Sequence, residues 1–223
     1  PGTTVGPLPA YTDHLFGMNN VSNVVVDGMN NLKIRVGSTQ HPRAVLFLGN
    51  DRTGQETYQT LVNVVIKNLE VDGGYYNGVD RGAQWGVFSE NVTNFAACNL
   101  YVHNILDEHG FYNHWTDQHF EAVENTVDIT GRTCIQTRAD GVMSPNQRII
   151  YANNDCSNSC DASSLTADDA SGLWWIHGNR VSKSVGAFAS EDSAHQWANT
   201  DHSDGHIYFY DNKILVKDTP QHI

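Results

Sequence analysis

Short runs in which apolar and polar residues alternate recur along the chain, and each closes on an asparagine. They read LVNVVIKN at 61–68, VTNFAACN at 92–99, FEAVEN at 120–125, RIIYANN at 148–154, GLWWIHGN at 172–179 and GHIYFYDN at 205–212. Alternation with period two marks a strand with one buried face. A second short strand-like stretch follows each asparagine, so the unit is strand, corner, strand. Residues 21–32 repeat it with Gly28 in the corner slot. Asn68, Asn99, Asn125, Asn154, Asn179 and Asn212 lie 31, 26, 29, 25 and 33 residues apart. Such intervals exceed a hairpin and leave no room for a helix beside two strands, so the pattern predicts a coil of β-strands with about seven turns. Asparagine tolerates the left-handed backbone conformation and its amide both donates and accepts. The six asparagines are therefore expected to stack in one corner column, bonded along the stack.

The succession of strand, corner Asn, strand and looped return resembles the right-handed parallel β-helix of the pectin-lyase-like superfamily over residues 15–216. That resemblance implies an all-β solenoid forming a single domain over residues 1–223. It carries no single chemistry, because the superfamily holds polysaccharide hydrolases, lyases, epimerases, phage tailspikes and binding proteins. Members usually begin with a capping segment, whereas here the first turn starts almost at once. The expectation is a fragment of a longer chain, or a coil capped by a partner.

A further series of strands precedes the asparagine strands, and it aligns on the apolar residues Val87, Phe111, Ile135, Leu165 and Phe188. From a corner Asn to the next of these anchors the chain takes 12, 10, 11 and 9 residues, a nearly constant return. From each anchor to its own Asn it takes 12, 14, 19, 14 and 24 residues, so insertions gather just after the anchor strands. Variable loops on a rigid scaffold are where binding and catalysis are usually built. With the anchors inward, the next residue and the third one on share the outer surface. The nearer outer row is Phe88, Tyr112, Gln136, Thr166 and Ala189; the farther is Glu90, His114, Arg138, Asp168 and Glu191. The farther row is expected to line one solvent-facing groove.

Composition narrows the partners. Acidic residues outnumber basic ones 25 to 13, a net charge of −12, which argues against nucleic acid and against an anionic membrane surface. No apolar run approaches the ~18 residues of a membrane span. The chain opens Pro1-Gly2-Thr3-Thr4, unlike a signal peptide, which suggests a processed or truncated product. Cys156 and Cys160 enclose three residues, a spacing open to a small disulfide loop, to free thiols or to half of a zinc site.

The chemistry expected of the groove is that of polysaccharides, in an extracellular, secreted, virion or cell-surface setting. Asp168, Asp169 and Glu191 offer carboxylate pairs on neighbouring turns, as glycoside hydrolysis requires. Tyr112, Trp115 and Trp197 offer ring faces for sugars, with Gln136, Asp140 and Asp192 as polar contacts. A lyase would instead use His114 or Tyr112 as base and Arg138 to neutralise the sugar carboxylate. No cofactor is required, although a calcium ion held by Asp168, Asp169 and Asp192 could assist. The segment 109–114 is similar to the Tyr-Gly-Phe-Asp-Pro-His stretch of alginate C5-epimerases at Gly110, Phe111 and His114, but Tyr112, Trp115 and Arg138 depart from that family's catalytic pattern. Asp168-Asp169 resembles the Asp-Asp motif of polygalacturonases, whose Gly-His-Gly motif is missing. Hydrolysis is thus the first expectation, with elimination as the alternative. The third is a non-catalytic adhesin, filament or tailspike subunit, which would form a homotrimer or polymer.

Overall fold

The computed structural model of the chain describes residues 14–19, 21–37, 40–49, 61–75, 82–90, 92–105, 107–114, 119–138, 147–159, 164–168, 172–184, 186–191 and 206–215. Seven strands form the first sheet, in the order β1 (His14–Met18), β3 (Ala44–Leu48), β5 (Trp85–Glu90), β8 (Phe111–His114), β11 (Ile135–Arg138), β14 (Leu165–Asp168) and β17 (Phe188–Glu191). The second sheet is folded about the corner and has two wings. One wing holds β6 (Val92–Cys98), β9 (His119–Val123), β12 (Arg148–Ala152), β15 (Leu173–His177) and β18 (His206–Tyr210). The other holds β7 (Tyr101–Ile105), β10 (Thr126–Thr130), β13 (Asp155–Ser159), β16 (Arg180–Ser182) and β19 (Lys213–Leu215). β2 (Ser22–Arg35) and β4 (Leu61–Asp72) are long enough to run through both wings. From β5 onward the chain visits the first sheet, one wing, the corner and the other wing, then returns one turn on. Every pairing is parallel, so the molecule is a parallel β-helix solenoid. No helix among the described residues is long and apolar enough to cross a membrane.

The anchor alignment holds residue for residue. Val87 pairs with Phe111, Phe111 with Ile135, Ile135 with Leu165 and Leu165 with Phe188. The first four are buried in the core, with Phe188 partly buried and packed against it. The wings supply matching columns. Phe95, Phe120, Ile149, Trp174 and Ile207 succeed one another in register on one side, and Val71, Val102, Val127, Cys156, Val181 and Ile214 on the other. Like side chains stacked at each rung exclude water along the axis, and this continuous apolar interior holds the coil together. Trp174 is fully buried while Trp175 turns outward and stacks on Tyr208, as alternation demands. Turns approach closely at Gly110, where a Cβ would lie 2.5 Å from Val127 Cγ1 and 2.7 Å from the Cys134 carbonyl oxygen.

The single column of six asparagines is corrected by the structure. Left-handed residues at the corner are Asn68, Asn99, Glu124, Asn153, Gly178 and Asp211, with φ between 51° and 66°. Asn125, Asn154, Asn179 and Asn212 each follow one of these residues and turn inward instead. There, Asn125, Asn154 and Asn179 each donate Nδ2 to the Oδ1 of the next, at 2.9–3.0 Å. Each also donates to a carbonyl of an earlier turn, and the same Oδ1 atoms accept backbone N–H groups. Asn68 and Asn99 form a separate, exposed ladder, with Asn99 Nδ2 donating to Asn68 Oδ1 at 2.8 Å. Leu100 fills the inward slot of that turn, and its N–H donates to Asn125 Oδ1. The offset is one residue: the left-handed turn and the buried amide are separate tasks, and only in the early turns does one asparagine perform the first while stacking outside.

Asp27 pairs with Lys67, but Gly28 does not take the expected corner: the left-handed turn falls on Met29 and Asn30. Three further residues, 29–31, are inserted before Leu32 rejoins Leu69. Two more left-handed columns turn the chain elsewhere. Asn23, Asn63 and Asn94 form an exposed amide ladder in the first strands of the wing, and Asn104, Ile129, Asn158 and Lys183 turn the end of the other wing.

Candidate functional site

The farther outer row of the first sheet is assembled as the spacing predicts. Glu90 pairs with His114, His114 with Arg138, Arg138 with Asp168 and Asp168 with Glu191. Parallel neighbours lie about 4.8 Å apart, so backbone hydrogen bonds alone hold consecutive members on adjacent rungs. Asp168 and Glu191 are placed here by this backbone register. His114 Nδ1 stands 3.8 Å from Glu90 Oε1.

The expected open, solvent-facing row is corrected at its first members. Glu90 is 6% exposed and His114 is only partly accessible, so the row begins in a recess. The cause lies in the nearer outer row, Phe88, Tyr112, Gln136, Thr166 and Ala189, which the register also aligns. Phe88 is buried rather than displayed, in a second apolar cluster with Ala44, Phe47 and Trp85. Tyr112 packs against Trp85 at 5.7 Å, Phe88 at 5.5 Å and His114 at 5.3 Å between ring centroids. The Arg43 guanidinium lies 4.8 Å over the Trp85 ring. Tyr112 is thus the half-buried margin of a self-packed aromatic patch, and Thr166 too is buried. Beneath the row, polar side chains continue into the coil: Ser89 Oγ donates to Asn113 Oδ1 at 2.6 Å, and the Tyr151 hydroxyl to Thr137 Oγ1 at 2.7 Å.

Trp115, Asp140, Asp169, Asp192 and Trp197 lie outside the described residues, as does Cys160. Cys98, Cys134 and Cys156 are free thiols. Cys156 is fully buried with its thiol against that of Cys134, and this hydrogen bond together with burial pushes its pKa well up.

A second polar cluster, absent from the sequence reading, sits on the opposite wing. Lys33, Glu70 and Tyr101 are in register across β2, β4 and β7, and Arg35, Asp72 and His103 occupy the next outward row. Lys33 Nζ donates to Glu70 Oε1 at 2.6 Å and lies 3.2 Å from Asp72 Oδ2. Arg35 Nε lies 3.3 Å from the same Asp72 oxygen. Asp72 is fully buried and accepts from Asn104 Nδ2 and from the Gly74 N–H. His103 Nε2 is 2.7 Å from Glu70 Oε1, and its Nδ1 is 2.7 Å from Asn104 Nδ2. A carboxylate can only accept and an amide nitrogen only donate, so the imidazole proton sits on Nε2. The Lys33 and His103 hydrogen bonds hold the Glu70 carboxyl below its ordinary pKa, and the Glu70 bond raises that of Lys33.

The ligand atoms of Glu70, Asp72 and His103 all lie within 4.8 Å of one another, the residue types and spacing of a cation site. The Lys33 ammonium already bridges both carboxylates, with Arg35 on the second, so their charge is balanced without a metal ion. The signal that could have revealed this cluster was a count onward from the corner asparagines. Glu70 and Tyr101 are each two residues past one, and Asp72 and His103 four.

In comparisons with protein-family models, with curated proteins and with solved structures, the chain matches none.

Proposed function

We propose that this protein is an extracellular polysaccharide-degrading enzyme of the pectin-lyase-like, right-handed β-helix type, acting as a glycoside hydrolase along the first sheet. The observation that carries the reading is the register Arg138, Asp168, Glu191 on three successive strands. Two carboxylates on adjacent rungs repel one another, which raises one pKa and keeps that group protonated as the acid. The other remains ionised as the nucleophile. Glycoside hydrolysis uses such a pair ~5–5.5 Å apart for retention or ~6.5–9.5 Å apart for inversion, and carboxylates rooted on neighbouring strands can serve either course. Arg138 beside Asp168 assists by keeping the nucleophile charged.

The second reading, elimination, is favoured by His114 standing in register next to Arg138, a base beside a cation. A panel of neutral and uronate-containing polysaccharides separates the two. Asp168→Asn and Glu191→Gln are each expected to lose ~10²-fold or more in rate while the fold is kept, and the anomeric configuration of the first product, followed by NMR, tells retention from inversion. Full activity in both amide variants overturns the hydrolase reading. An unsaturated product absorbing in the ultraviolet transfers the chemistry to His114 and Arg138. No turnover on any substrate, with a stable trimer or polymer in solution, favours the structural class.

A further inference from the structure

On the wing opposite the proposed catalytic row, an open cleft of about 270 Å³ lies over the corner of the early turns. Its walls include the amides of Asn30, Asn31 and Asn99 on one side and Lys33, Glu70 and Tyr101 on the other. We propose that this cleft binds a neutral saccharide, as a carbohydrate-binding site separate from the first sheet.

Three properties select that ligand. Charge comes first: Lys33 and Arg35 are matched by Glu70 and Asp72 within 2.6–3.3 Å, so the cleft repays neither an anion nor a cation for its lost hydration. Hydrogen-bonding capacity comes next. Asn99 donates to Asn30 Oδ1 and Asn68 Oδ1, and Asn31 donates to the Met29 carbonyl. The Asn30 amide nitrogen and the Asn31 and Asn99 amide oxygens have no further partner among the described residues. Donors and acceptors alternating at fixed positions suit vicinal hydroxyls, each of which both gives and takes a hydrogen bond. The third property is an exposed ring. Tyr101 is 41% exposed, and its other face is stacked on His103 at 4.2 Å between centroids. Glu70 and Asn104 fix that imidazole in turn, so the platform is rigid before any ligand arrives. An aromatic face held in this way complements the apolar C–H face of a sugar ring. The volume falls just below the range of ~300–1,000 Å³ usual for ligand pockets, room for a short saccharide unit.

The inference does not require the first sheet to be catalytic, and the test keeps the two readings apart. The full chain carrying Asp168→Asn and Glu191→Gln is titrated with neutral gluco-, xylo-, manno- and galacto-oligosaccharides by NMR and calorimetry. Saturable binding to at least one is expected. Tyr101→Ala should weaken it tenfold or more, Tyr101→Phe should preserve it, and Tyr208→Ala, on the distant strand β18, should leave it unchanged. Absence of saturable binding, or binding indifferent to Tyr101→Ala, overturns the site. Loss on Tyr112→Ala alone does so too, and moves the saccharide to the first sheet. Uptake of Ca²⁺, Mn²⁺ or Zn²⁺ by the wild-type protein, abolished by His103→Ala and competing with the saccharide, overturns it in favour of a metal centre.

Discussion

His109 shows how one buried side chain sets the response of the molecule to acid. Burial, reinforced by the Arg132 charge, lowers its pKa to about 3. Glu108 Oε2 lies 3.3 Å from His109 Nε2 and would favour the imidazolium, but Arg132 takes the same oxygen at 3.4 Å, and desolvation prevails. The ring is therefore neutral when folded, with Nδ1 accepting the Thr133 N–H. In the unfolded chain a histidine titrates near 6.5. Between that value and about 3 the unfolded state holds the extra proton, so stability falls as pH is lowered through this window. The loss from pH 7 to pH 5 should be about 2 kcal/mol. Urea denaturation at the two values checks this, and His109→Gln should flatten the difference. An unchanged pH dependence in that variant would assign the acid sensitivity to other groups.

At the scale of the element, the corner ladder predicts unequal costs for the same substitution. Asn154 is buried, donates to the Ala122 carbonyl and Asn179 Oδ1, and accepts from the N–H and Nδ2 of Asn125. Asn154→Ala strands polar groups on both neighbouring turns, at ~1–3 kcal/mol for each group left without a partner, so a loss of about 3 kcal/mol is expected. Asn99→Ala removes exposed amide contacts that water replaces and puts an alanine in the left-handed turn, and should cost about 1 kcal/mol. Denaturation midpoints of the two variants check the ranking. Equal losses would mean that the buried amide ladder adds nothing beyond what an exposed corner asparagine contributes. From the sequence both asparagines look alike, each ending an alternating strand. What separates them is the residue before: Glu124, Asn153, Gly178 and Asp211 take the left-handed turn in the later coils, freeing the next residue to point inward.

Over the whole molecule, one apolar interior runs from β1 to β18, and the thiols of Cys134 and Cys156 are both fully buried in it. Their accessibility reports opening of the coil. Native protein should leave both unreacted with iodoacetamide at pH 8, while Cys98, on a partly exposed strand position, should react, slowed by its raised pKa. In denaturant all should label, and mass spectrometry of the digested protein checks each site. Rapid native labelling of Cys156 would show that the turn closes poorly. The two proposed surfaces also belong to this scale. The first-sheet row and the Tyr101 cleft lie on different sheets of the coil, so a long glycan could be held at one while another part is processed at the other.

The alternating pattern and the near-constant return from corner to anchor were enough to determine the solenoid, its anchor column and the Glu90, His114, Arg138, Asp168, Glu191 row. In a stacked coil each strand pairs with its counterpart one turn away, so linear spacing translates directly into contact. Only the tertiary structure decided which side chains that contact buries. Phe88 lies outside the coil by alternation yet is withdrawn from water by packing against Phe47, Ala44 and Trp85, and Trp85 joins that cluster although alternation from Val87 would turn it inward. Glu70 and His103 meet because β4 and β7 pair in register, whereas Lys33, 37 residues before Glu70, joins them only because β2 absorbs three extra residues between Asp27 and Leu32 before rejoining β4. A bulge shifts register without disturbing the hydrophobic alternation on either side of it. Counting from Asn68 and Asn99 brings Glu70, Asp72, Tyr101 and His103 together, but the place of Lys33 and Arg35 among them depends on how the irregular turn is superposed, and the local pattern of the chain carries no record of that.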